Sequence, residues 1–129
     1  MTNPSEHRVA VLGASPKPGR YSNQAVRLLQ AQGYAVIPVN PAFGEIEGLP
    51  TARSLSDVAP PVHTLTLYVS AARLPAMAGD IVALAPGRVI FNPGTESPAL
   101  QARLDQAGIP WLEGCTLVML RTGVFLAGT

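Results

Sequence analysis

A chain of 129 residues with 47% apolar and 13% charged residues can bury a core without disulfides or metals and is too apolar to stay disordered. Its net charge of +1, with scattered basic residues and 5% aromatics, excludes a dedicated nucleic-acid surface or a stacking platform for single strands. One cysteine, Cys115, rules out an internal disulfide framework. The polar start, Met1 to Arg8, does not read as a signal peptide, and no apolar run reaches the length of a membrane span. The expectation is one domain over residues 1–129, cytoplasmic, with neither nucleic acid nor membrane as partner.

In chain order, Val9-Ala10-Val11-Leu12 predicts a short buried strand. The stretch Gly13-Ala14-Ser15-Pro16-Lys17-Pro18-Gly19-Arg20 predicts a Gly/Pro-rich turn, and Ser22 is the expected N-cap of a helix running to Gln32. Gly33 stops that helix, and Tyr34 to Val39 reads as the second strand, closed by Asn40-Pro41. Asn40 to Ser56 predicts a long loop, of a length more often functional than idle. Val62 to Val69 is the third strand, and Ser70 the expected cap of a helix over Ala71 to Leu84 that tolerates Pro75 in its first turn. Arg88 to Phe91 is the fourth strand, followed by a sharp Asn92-Pro93-Gly94 turn. Ser97 caps a helix from Pro98 to Ala107, and Ile109 to Leu112 is the fifth strand. The apolar tail, Cys115 to Leu126, predicts a last strand or helical turn packed on the body or on another subunit.

This alternation predicts an α/β, Rossmann-like, doubly wound open sheet, mostly parallel, of about five strands with helices on both faces. Such folds bind ligands beyond the carboxyl ends of the strands, where strand order reverses. An order 3-2-1-4-5 would put that crevice between the first and fourth strands. Gly13 to Arg20 and Asn92 to Glu96 would then form its walls, with Asn40-Pro41 and Val69-Ser70 on its flanks.

A strand, a tight turn and a helix N-terminus point free amides and the positive dipole end at one spot, a natural anion site. Lys17, the one lysine of the chain, and Arg20 add charge there, so the expected ligand carries phosphate, with the Ser15 hydroxyl as a further donor. The turn is not G-x-G-x-x-G, and no acidic residue follows the second strand to hold a ribose diol, which disfavours NAD(H). An NADP(H)-binding, oxidoreductase-like protein is a rival reading. Glu45, Glu47 and Asp57 read as solvated loop charges. His7 and His63 flank strand starts, at the sheet end away from the crevice, which suits structural roles. Cys115 reads as a buried, inert thiol, or as a thiol near a bound cofactor's own sulfur.

Four blocks in register carry a wider resemblance: V-A-V-L-G-A-S-P-K-P-G-R-Y-S at Val9 to Ser22, G-Y-A-V-I-P-V-N-P at Gly33 to Pro41, E-I-E-G at Glu45 to Gly48, and S-L-S-D-V at Ser54 to Val58. In these the chain resembles the small stand-alone CoA-binding-domain proteins, themselves similar to the CoA-binding domain of the succinyl-CoA synthetase alpha subunit. The resemblance implies that coenzyme A is the cofactor. Gly13, Ala14, Ser15, Lys17, Gly19, Arg20 and Ser22 would hold its phosphates, and Asn40 and Pro41 would border the adenosine. Val69, Ser70, Asn92, Pro93 and Gly94 would close the crevice. The resemblance does not confer ligase activity, which in the synthetase needs a further domain bearing the phosphorylated histidine. With no recognisable acid, base, nucleophile or metal set, the expectation is no catalytic residue. CoA or an acyl-CoA is the expected partner. A homo-oligomer, or an acyl-CoA-sensing module that passes its signal to a protein partner, is an alternative suggested by the apolar tail.

Overall fold

The structure, a computed structural model, describes residues 3–126. Its strands are β1 (Arg8–Leu12), β2 (Ala35–Val39), β3 (Glu45–Ile46), β4 (Leu49–Pro50), β5 (Thr64–Leu67), β6 (Arg88–Phe91) and β7 (Trp111–Glu113). Its helices are α1 (Tyr21–Ala31), α2 (Ala78–Leu84), α3 (Pro98–Ala107) and α4 (Thr116–Arg121). Five strands form one parallel sheet in the order β2-β1-β5-β6-β7, and β3-β4 is a small antiparallel hairpin. This is an α/β, Rossmann-like fold.

Parallel strands are covered on both faces, so their residues sort by alternation into two cores. From β1, Ala10 and Leu12 join Leu65, Leu67, Val89 and Phe91 beneath α2 and α3, where Ile81, Leu100 and Leu104 are fully buried. Val9, Val11 and Ile90 face the other way, against Val26 and Leu29 of α1 and Leu120 of α4. On that second face β5 presents Thr64 and Thr66 and β6 presents Arg88, so a polar stripe runs through an otherwise apolar layer.

The strand order departs from 3-2-1-4-5. The connection 40–63 carries the chain from the β2 edge back across β1, and β5, buried on both faces, pairs directly with β1. Order therefore reverses between β1 and β5, and the crevice lies there rather than beside β6.

Local departures have local causes. The N-cap of α1 is Arg20, whose carbonyl accepts from the Gln24 amide at 3.0 Å. Ser22 instead occupies a buried position on the inner side of the first turn. The helix expected over 71–84 begins as a 3-10 turn at Leu74–Met77, and Ser70 does not cap it. Leu74, Ile81 and Leu84 are nevertheless buried, as their spacing requires. Ser97 caps α3 as expected, accepting from the Leu100 amide at 3.2 Å, and Gly108 ends it at φ 72°. The predicted long loop contains the β3-β4 hairpin, and the tail folds as α4, with Leu117, Leu120 and Phe125 buried against the body.

Candidate functional site

Gly13 sits at the β1 end of the order reversal with φ +86°, and a Cβ there would lie 2.8 Å from the Tyr68 carbonyl oxygen. Only glycine meets both demands, and its presence lets the loop after β1 lie against the end of β5. The amides of Gly13 and Ala14 donate to the Val39 carbonyl at 3.0 and 3.2 Å, which ties the start of the loop to β2. Ser15 Oγ accepts from the Lys17 amide at 3.1 Å and keeps its own proton free. Among the described residues, the amides of Ser15, Gly19, Tyr21 and Ser22 have no protein partner, which leaves donors on the loop and the first turn of α1.

Two asparagines hold this loop. Asn40 Nδ2 donates to the Ala14 carbonyl at 2.7 Å while its Oδ1 accepts from the Ala42 amide at 2.8 Å. The fully buried Asn23 donates to the Ser15 carbonyl and to Glu47 Oε2, both at 2.9 Å, and its Oδ1 accepts from Arg27 Nε at 2.7 Å. Asn23 went unnoticed in the sequence because a polar residue in the first turn of a helix normally reads as solvated.

Two cavities open along the C-terminal edge of the sheet. The first, about 260 Å³, lies over the ends of β1, β2 and β5 and takes Gly13, Asn40, Pro41 and Val69 into its wall, with Leu12 and Val39 beneath. Its rim carries Arg53 and Arg73, neither of them expected from the sequence. The second, about 320 Å³, lies over β5 and β6 and is lined by Tyr21, Tyr68, Asn92, Pro93, Cys115, Leu117 and Arg121. Asn92 is buried and fully bonded: Nδ2 donates to Thr66 Oγ1 at 2.7 Å and the Leu67 carbonyl at 2.9 Å, and Oδ1 accepts from the Thr116 amide at 2.9 Å. It pins β5, β6 and α4 together at the cavity floor. Burial pushes the Tyr68 phenol up to about 12, and the nearby Cys115 adds to that shift. Cys115 itself is half-buried in the cavity wall rather than sealed in the core.

The expected residues thus separate. Gly13, Asn40, Pro41 and Val69 share the first cavity; Asn92 and Pro93 line the second. Lys17, Gly19 and Arg20 lie exposed on the loop outside both walls. Ser70 is exposed and accepts from the Arg73 amide, and Gly94 turns at φ 90° with its amide on Glu96 Oε1.

The opposite edge is closed. His7 Nε2 lies 2.8 Å from Thr64 Oγ1, which also accepts from Arg88 Nε at 2.9 Å. Arg88 Nη2 donates to the Phe125 carbonyl at 2.6 Å, and its guanidinium stacks 4.6 Å from the Phe125 ring. The Arg8 amide donates to His63 Nδ1 at 3.0 Å. Burial, then His63, then Arg88 lower the His7 pKa to about 4.

A doubly wound parallel sheet with its glycine turn and a cavity at the order reversal defines a Rossmann-like ligand-binding domain. The chain belongs to the CoA binding domain family, whose model matches residues 7–121. It is 32% identical to the Bacillus subtilis protein YneT over 75 residues, a stretch that is 58% of this chain and 56% of YneT, so the alignment spans little more than half of that relative. A solved Thermus thermophilus protein, cell-free ID.343, superposes with TM-score 0.85 at 35% identity, covering 92% of this chain and 90% of that one. An acetyl-coenzyme A synthetase from Ca. Korarchaeum cryptofilum, solved with phosphate and ADP, matches with TM-score 0.72 at 26% identity, over 88% of this chain and 26% of the synthetase. No described helix is long and apolar enough to cross a membrane.

Proposed function

We propose that this chain binds coenzyme A, or an acyl-CoA, at the β1–β5 order reversal and performs no chemistry on it alone. The observation that carries the reading is the join between loop and cavity at Gly13. A stretch with unpartnered amides, Lys17 and Arg20 runs directly into a cavity walled by Leu12, Val39, Pro41 and Val69. That pairing suits a ligand with an anionic diphosphate joined to a flat apolar base, and family membership supports coenzyme A as that ligand. The second cavity, with Cys115 in its wall, is where the thiol arm of such a ligand would run. The chain's two histidines lie at the opposite edge of the sheet, out of reach of a ligand at the loop, which supports the non-catalytic reading.

Isothermal titration with CoA at about 100 μM protein, a concentration suited to micromolar affinity, should give saturable heat, and NADPH should not displace the ligand. Lys17→Ala and Arg20→Ala should each weaken CoA binding by about three- to tenfold, as loss of an exposed phosphate contact does. No heat with CoA, or binding of NADPH in its place, refutes the proposal. Unchanged affinity in both variants removes the roles given to those two cations.

A further inference from the structure

The first cavity holds charge that the loop does not account for. Residues 51–53 run beside the end of β2: the Asn40 amide donates to the Ala52 carbonyl at 2.9 Å and the Ala52 amide to the Pro38 carbonyl at 3.0 Å. This short parallel bridge sets Arg53 on the cavity rim. Ser54, the next residue, has its hydroxyl on Ser56 and Asp57, which steadies the turn behind it. From the other side, the turn after β5 closes with the Arg73 amide on the Ser70 carbonyl at 3.0 Å and brings Arg73 to the same rim. Both backbones are fixed, yet neither guanidinium has a hydrogen-bond or ion-pair partner among the described residues. Asp80 is the one acid in the wall, so the cavity keeps net positive charge over an apolar floor.

Two unpartnered guanidiniums, carried by fixed backbones to the rim of one cavity, suit a dianionic group, which they can grip with paired N–H donors. The loop cations Lys17 and Arg20 lie outside that cavity, on the loop that the reading above gives to the diphosphate. Resting on the CoA reading above, we propose that Arg53 and Arg73 bind a phosphate monoester on the ligand's ribose and so make the site selective for coenzyme A over dephospho-CoA. A ligand with a diphosphate alone would satisfy the loop and leave the two arginines empty. One with an added ribose phosphate satisfies both cationic groups, with the base between them on the apolar wall.

The test is calorimetric titration of CoA and dephospho-CoA into the wild-type protein and into Arg53→Gln, Arg73→Gln and the double variant, with thermal melts alongside. Both residues are exposed, so the melts should not move. Wild type should prefer CoA over dephospho-CoA by about tenfold or more, the size expected for charge-assisted hydrogen bonds. Each single variant should lose part of that preference and the double variant all of it, with dephospho-CoA affinity held constant. A preference that survives in the double variant, or wild type binding both ligands equally, overturns the assignment. Failure of wild type to bind either ligand instead brings down the CoA reading on which it stands.

Discussion

The two ends of the parallel sheet carry similar residue types in opposite conditions. At the amino-terminal end, His7, Thr64, Arg88 and the Phe125 carbonyl bond to one another, and Phe125, Tyr34 and His63 pack edge or tilt around His7. At the carboxyl end, the side chains of Arg53, Arg73 and Lys17 and several loop amides have no protein partner among the described residues and face cavities or solvent. The difference separates polar groups that hold the fold together from polar groups that the fold leaves unpartnered, which our proposal assigns to a ligand. It arises from strand geometry: every parallel strand starts at one edge and releases its chain into a loop at the other, so ligand-facing loops gather on a single side.

The strongest way to break this contrast is to collapse the open end. In Gly13→Ala, the added methyl must meet the Tyr68 carbonyl at a φ that L-residues resist. It should cost about 3 kcal/mol or more in chemical denaturation, and it should abolish CoA binding even below the melting transition. Wild-type affinity in that variant would show that the loop need not lie against β5.

The closed end can be opened by acid. The His7 pKa in the fold, about 4, lies below its ordinary 6.5, so between those values the unfolded chain takes up a proton that the native state refuses. Stability is therefore complete above pH 6.5 and is lost progressively as pH falls toward 4. Between pH 7 and pH 4.5 urea denaturation should lose up to about 2–3 kcal/mol through this group. His7→Gln should flatten that slope whatever its stability at neutral pH. An unchanged slope would show that His7 is not the residue responsible.

Much of the fold was legible because it rests on short-range patterns. The parallel strands follow from apolar runs such as Val9 to Leu12, and α3 follows from Ser97, Pro98 and Gly108. Strand order was not legible, because β5 and β6 are both short, fully buried runs and nothing in either says which of them pairs with β1. The β3-β4 hairpin has strands of two residues, too short for any alternation to register. Gly13, Asn40, Pro41 and Val69, expected beside the crevice because they stand at strand ends, line the first cavity. Arg53 and Arg73 escaped notice because each stands alone in an irregular segment. Their place on one cavity rim depends on the Val39–Ala52 bridge and on the β1–β5 pairing, both long-range features.

The most direct measurement is the pattern of backbone amide chemical-shift changes when unlabelled CoA is added to isotopically labelled protein. Shifts should concentrate at Gly13, Ser15, Gly19, Arg53, Val69 and Arg73, with His7, His63 and Arg88 unmoved. Saturable shifts confined to the His7–Arg88 edge, or none at Gly13 and Val69, would contradict the assignment of the carboxyl end as the binding side.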